Sequence, residues 1–301
     1  MNTVISIGTS REIDFLRERL INEVRVNNRL GFKVVPHFWE CGLFRFLDCE
    51  MVSPAPDKGS ELNSRFRRFL AGLVSETIIA EWEIPMVRNI IKNRHGHFNI
   101  RDKELILLKV ERSLDQADQN LSPSGTVSSR KGRIQYQTME FLKENNQLII
   151  DGLINFRLKE YLEQLKEAVE LAVEEYQLEK EYQEFIRLLQ YFVEIQEPRV
   201  SQAHVMIHSG GTFRILDAKG NPVNGEYEEG FLLDVVDKDI NYEDLLISTL
   251  ITIAPRRIVI HTSEQSKLNS AVTTIERVFG RRVDTCRGCE ECRRLTPPQG
   301  S

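Results

Sequence analysis

The hydrophobic positions of this chain change period twice, and the changes mark out its elements. "TVISI" (residues 3–7) reads as a short strand, and Ile13, Leu16, Leu20 and Val24 then recur at helical steps. Thr9, with Glu12 three residues later, fits a capping box at the start of that helix. Two strand-like runs follow, "FKVVPHFW" (32–39) and "LFRFLDCEMV" (43–52), with Gly42 freeing the backbone between them. "SPAPDKGS" (53–60) is a loop by its Pro and Gly content. Residues 61–114 read as helix, interrupted at Pro85 and around "NRHGHFN" (93–99). Within them, "SRFRRFLAGLVSETIIAEW" has an apolar face and a basic end. A core-facing helix explains this better than a membrane-surface helix does.

The polar, unpatterned segment 115–132, "DQADQNLSPSGTVSSRKG", predicts a linker between an N-terminal α+β region (1–114) and a C-terminal α+β domain (133–301). After a helix in "RIQYQTMEFLKEN", residues 153–196 carry the strongest helical signal. Leu158, Leu162, Leu165, Val169, Ala172 and Tyr176 lead its apolar series, Glu and Lys fill the gaps, and Pro198 ends it. The pattern admits one long helix or two with a break in "QLEKEYQ" (177–183).

The period then returns to that of strands at 200–208, 212–223 and 229–237, with a turn at "DAKGN". Residues 241–254 are predicted as a helix with Asn241 as its N-cap. "RRIVIHT", "SEQSKLNSAVTTIERVFG" and "RRVDTC" form a strand–helix–strand unit, for which parallel strands are the rule. The fold class is therefore α+β, with a central helical region and strands toward both ends.

Two of these stretches together resemble the YtxC-like family, which is associated with sporulation in endospore-forming bacteria. They are "GLINFRLKEYL" (152–162) and "LLISTLITIAPRRIVIH" (245–261). The resemblance implies a cytoplasmic, sporulation-associated protein that works by binding protein partners, without an assigned biochemical activity or catalytic residues. Read physically, Phe156 at the start of an amphipathic helix is a core residue. Arg157 beside it pairs with a carboxylate or caps a helix C-terminus, and a ligand-binding role is the alternative.

Composition narrows the function classes. A chain of 301 residues with 41% hydrophobic residues can build more than one core. Its net charge of −5 supplies no chain-wide basic field, so nucleic acid is not an expected partner. Its longest apolar runs fall short of the roughly 20 residues that span a bilayer, so no membrane span is expected. Five cysteines without an export signal fit reduced thiols in the cytosol.

Little else resembles chemistry, and a non-enzymatic protein is expected. The acidic run at 234–244 places Tyr242 where a calcium loop needs Gly and Ser248 where it needs Glu. "HSGGT" (208–212) leads into a strand, where a phosphate loop would lead into a helix. "RHGH" (94–97) reads as a polar turn.

What remains is "TCRGCEEC" (285–292), with Cys286, Cys289 and Cys292 in C-x2-C-x2-C spacing. A ferredoxin run would continue to a fourth cysteine, and Thr296 stands there, followed by Pro297. His261 ends "RRIVIH" as Cys286 ends "RRVDTC", and parallel strands bring those two ends to one sheet edge. Zinc or an iron–sulfur cluster held by Cys286, Cys289, Cys292 and His261 is one reading, and with it the alternative to a partner-binding protein is an enzyme or a redox or metal sensor whose chemistry centres on these thiols. The other is three free thiols in a solvated tail.

Overall fold

Ile5 and Ile7, two positions apart on β1 (Thr3–Thr9), point to one face of the strand and are fully buried. That strand organises the first of two sheets. The computed structural model describes residues 3–26, 31–52, 59–119, 129–207, 213–223, 242–262, 270–290 and 292. The expected turn at 208–212, the strand at 229–237 and the capping Asn241 lie outside these residues, as do Arg293, Arg294, Thr296 and Pro297.

The first sheet has the order β2-β3-β1-β4. β2 (Lys33–Cys41) and β3 (Phe44–Val52) form the expected hairpin, and Gly42 adopts φ +61° in its turn. α1 (Asp14–Val26) starts later than the capping-box reading places it. Thr9 Oγ1 instead accepts from Arg11 N at 3.0 Å, and the Asp151 carboxylate binds Ser10 through both its N–H and its hydroxyl. A short strand missed in the sequence, β4 (Gln147–Ile149), pairs parallel to β1. Residues from beyond the expected linker thus complete the first sheet.

α2 (Gly59–Thr77) buries Leu62, Phe66, Leu70, Leu73 and Val74 at three- and four-residue steps, as a core-facing helix should. A π-helical turn at Ile78–Trp82 separates it from α3 (Glu83–Arg94), whose first turn holds Pro85. Proline lacks the N–H that a continuous α-helical ladder would require here, and the widened turn takes up the mismatch. α4 (Ile100–Gln119) and α5 (Arg130–Glu144) flank residues 120–128, and Ser129 caps α5 by accepting from Gly132 N at 3.0 Å. Arg130 binds Asp115 and Asp118 across that gap. α6 (Ile150–Arg157) leads into α7 (Lys159–Ile195), which is one helix of 37 residues rather than two.

The chain divides into two compact units, Met1–Gln177 and Leu178–Ser301. This division falls within α7, not in segment 115–132. The first unit has a continuous core from Ile5 to Tyr176 that takes in both sides of that segment.

In the second unit the sheet order is β6-β5-β7-β8. β5 (Val200–Ile207) pairs antiparallel to β6 (Phe213–Asp217) and parallel to β7 (Pro255–Thr262). β8 (Val283–Thr285) pairs parallel to β7, so the strand–helix–strand unit forms as expected around α9 (Ser270–Phe279). α8 (Tyr242–Ile253) ends at Ala254, a buried residue held at φ +40°, after which Pro255 opens β7. Ile186, Val193, Ala203, Val205, Ile258, Ile260, Ile275 and Phe279 belong to this unit's own core.

Candidate metal centre

The parallel pairing of β7 with β8 brings two strand ends to the same edge. His261 is the next-to-last residue of β7 and is buried at 5% exposure. Cys286 follows β8 directly, and its N–H donates to the Ile260 carbonyl at 2.8 Å. The chain then turns back over the sheet edge, with Gly288 at φ +109°, a backbone geometry that other residues rarely adopt. That turn delivers Cys289, and Cys292 follows.

The four side chains converge. One ligand atom from each of His261, Cys286, Cys289 and Cys292 lies within 4.8 Å of the other three. Nδ1 of His261 is 3.3 Å from Cys289 Sγ and 3.4 Å from Cys292 Sγ, and the two sulfurs are 3.8 Å apart. Among the described residues this is the one group of three or more His, Cys, Asp or Glu side chains close enough to share an ion. Cys41 and Cys49 belong to the other unit, on β2 and β3.

The thiols differ in their surroundings. Backbone N–H groups of Gly288 and then Cys289 face Cys286 and hold its thiol below the usual range, against a smaller opposing effect of burial. Burial pushes Cys292 up to about 11. The backbone thus favours the ionised form at one sulfur, while burial disfavours it at another.

Behind His261 stands a polar chain that the sequence reading missed. His261 Nε2 is 2.9 Å from His204 Nδ1, and His204 Nε2 is 2.8 Å from the Gln202 side-chain nitrogen. Gln202 and His204 lie two apart on β5 and so on one face, opposite the core residues Ala203, Val205 and Ile207. A polar pair at that spacing in an otherwise apolar strand was the available signal.

The other singled-out residues stay outside this centre. Phe156 is not a core residue: it is 74% exposed, because the face of α6 that turns inward carries Ile150, Leu153 and Ile154. Arg157 lies over the Phe141 ring at 5.9 Å, a cation–π contact where a carboxylate or a helix C-terminus was expected. His97 of the "RHGH" turn packs against Phe98 with ring centres 4.2 Å apart and planes tilted by 39°. No helix among the described residues is long and apolar enough to cross a membrane.

Comparison with known proteins yields a family and no solved relative. Residues 68–284 match the YtxC-like family, a span that contains His204 and His261 and stops two residues before Cys286. A protein of Bacillus subtilis (strain 168) described as "Uncharacterized protein YtxC" is 29% identical over 191 residues. The match covers 62% of this chain and 66% of that relative's length. No solved structure matches. With the family match extending over well more than half of its 301 residues, the chain belongs to the YtxC-like family.

Proposed function

We propose that the second unit binds a single zinc ion through Cys286, Cys289, Cys292 and His261, and that the ion holds the C-terminal edge of the sheet together. The observation that carries this reading is the convergence of four donor atoms within 4.8 Å. With Zn–S near 2.3 Å and Zn–N near 2.0–2.1 Å, a tetrahedral ion sets its sulfurs about 3.8 Å apart and its sulfur–nitrogen pairs about 3.6 Å apart. Among His261, Cys289 and Cys292 the separations are 3.8 Å for sulfur to sulfur, and 3.3 Å and 3.4 Å for sulfur to nitrogen, and Cys286 joins them within the 4.8 Å that bounds the whole set. The donor set and its size therefore fit one ion. Four protein ligands leave no open position for a substrate, which favours a structural role over a catalytic one.

An iron–sulfur cluster is the second reading, favoured by the C-x2-C-x2-C spacing. A cluster spreads its thiolates over several irons, and the donors here are closer together than that requires.

Elemental analysis of the full chain, purified without oxygen or chelator, tests both. About one zinc per chain is expected, with Cys289→Ser losing most of it and His261→Ala holding it more weakly. Freely titrating thiols and no metal would overturn the proposal. Several irons per chain with visible thiolate-to-iron absorption would transfer it to the cluster.

The role in spore formation and the action through protein partners in the cytoplasm rest on the family resemblance. The two levels connect experimentally. A Cys289→Ser allele in a spore-forming host should lower the yield of heat-resistant spores if the zinc-bound unit serves that role, and an unchanged yield would separate the metal from sporulation.

A further inference from the structure

We propose that Gln202 and His204 are positioning residues for the metal centre: they form a proton-ordering relay that decides which nitrogen of His261 is free to bind the ion. This inference rests on the metal reading above. His261 directs Nδ1 at the cysteine sulfurs and Nε2 at His204 Nδ1, 2.9 Å away. A metal-bound imidazole nitrogen carries no proton, so His261 holds its single proton on Nε2 when Nδ1 is a ligand. Nε2 then donates to His204 Nδ1, which must be bare. The proton of His204 therefore lies on its Nε2 and needs an acceptor. Among the described residues the group within reach, at 2.8 Å, is the side-chain amide of Gln202, which serves only when its oxygen faces the ring.

The structure shows the opposite amide orientation, with Gln202 Nε2 facing His204 Nε2. In that arrangement Gln202 donates, His204 carries its proton on Nδ1 and gives it to His261 Nε2, and the proton of His261 is forced onto Nδ1. There it points at Cys289 and Cys292 and occupies the position of the ion. Two proton orders thus share one set of heavy atoms. Passing from the second to the first takes half a turn of the Gln202 amide, transfer of the His204 Nδ1 proton to His261 Nε2, release of the His261 Nδ1 proton to solvent as the ion takes its place, and uptake of one solvent proton at His204 Nε2. One order accepts the ion and the other excludes it. No net charge changes along the relay, because each imidazole keeps one proton in both orders.

The relay predicts opposite effects from two substitutions at one position. Gln202→Glu offers only oxygen acceptors at neutral pH, cannot support the excluding order, and should bind zinc at least as tightly as the parent. Gln202→Leu offers no acceptor and should release zinc several-fold more readily. His204→Phe breaks the relay at its centre and should weaken zinc binding about 10- to 100-fold, the range seen when such supporting partners are removed. His204→Gln, which can again accept from His261, should recover part of that loss.

Zinc affinity is read by chelator competition on the full chain, with circular dichroism as a check on folding. Proton positions are read by long-range 1H–15N spectra of the zinc-loaded, 15N-histidine-labelled protein. The expected spectrum has His261 bound through Nδ1 and His204 protonated on Nε2. Equal affinities for the parent, Gln202→Glu and Gln202→Leu, or a His204 protonated on Nδ1 in the zinc-loaded protein, would overturn the relay while leaving the zinc centre intact. A parent chain that binds no zinc would overturn both. If His204→Phe fails to fold, the contrast between the two position-202 variants still decides the matter.

Discussion

Replacing Arg130 with Met isolates a buried network of ion pairs in the first unit. The guanidinium bonds Glu83 Oε1 at 2.6 Å, Asp118 Oδ2 at 2.8 Å and Asp115 Oδ1 at 3.1 Å. Asp115 is largely exposed, and its share is small. Glu83 is the member that matters, because its side chain is only 7% exposed and its second oxygen accepts from Tyr161 Oη at 2.6 Å. Burial is the largest influence on this carboxyl and keeps its pKa above the usual value, although Tyr161 and Arg130 both pull it down. At Arg130 burial also opposes the charge, but there the carboxylates together win and the pKa is raised. Without Arg130 the Glu83 carboxylate keeps only the tyrosine.

Stranding one member of a buried pair costs about 3–5 kcal/mol, and the lower end applies because Asp118 is partly open to water. At roughly 2–4 °C per kcal/mol for a unit of this size, the Tm should fall by about 10 °C at pH 7. The pH dependence has a definite sign. A carboxyl whose folded pKa is raised binds its proton more tightly in the folded state, so its penalty grows as pH rises from the unfolded value near 4.3 to the folded one. The deficit of Arg130→Met should therefore shrink as pH falls from 7 toward 4. Adding Glu83→Gln should restore more than half of the loss, since no buried charge is then unpaired. Thermal and urea unfolding of the two variants at several pH values measures all three effects. A single variant within about 1 kcal/mol of the parent, or a double variant no better than the single, would refute the reasoning.

Two further outcomes are expected. Burial pushes Glu76 up, but Lys131 and Arg19 together outweigh it and hold the carboxyl below its usual range. That stability is present above the unfolded pKa near 4.3 and is lost as pH falls through the folded value, so Glu76→Gln should flatten the acid limb of Tm against pH; an unchanged limb would argue against it. At Gly288 a Cβ would meet nothing within 4 Å, so Gly288→Ala should act through backbone strain alone. A strain of about 1–3 kcal/mol should weaken zinc retention about 5- to 150-fold in chelator competition, and equal retention would contradict the geometry assigned to the loop.

How far the sequence reached depended on whether a feature was local. The cysteine spacing, the two strand ends and the parallel rule were enough to join His261 to Cys286 across 25 positions. His204 escaped because its part depends on register: Met206 pairs with His261 and His204 with Val259, and no local pattern fixes that alignment. β4 escaped for a similar reason, since three residues are too few to show a period and its partner β1 lies more than 130 positions away. The division of the chain was hidden by composition. Segment 115–132 is polar enough for a linker, yet Arg130 near its end is drawn inward by carboxylates from the far side of the gap, Asp115, Asp118 and Glu83. Phe156 was misplaced by about one helical step, because the burial of α6 follows Ile150, Leu153 and Ile154.

The shortness of β8 has a consequence in mass action. Three residues at a sheet edge contribute few hydrogen bonds, and the turn after them depends on a glycine conformation with little packing around it. An ion that binds only the folded arrangement stabilises it by RT ln(1 + [L]/Kd), which amounts to about 2.7 kcal/mol when free zinc is a hundredfold above Kd. With the proposed zinc site, the order of this edge would be a property of the medium as much as of the chain. Where zinc is scarce the same sequence would keep the strands β5, β6 and β7 on their hydrophobic core while its last strand frays, so one chain would present two different C-terminal surfaces in proportion to the free metal around it.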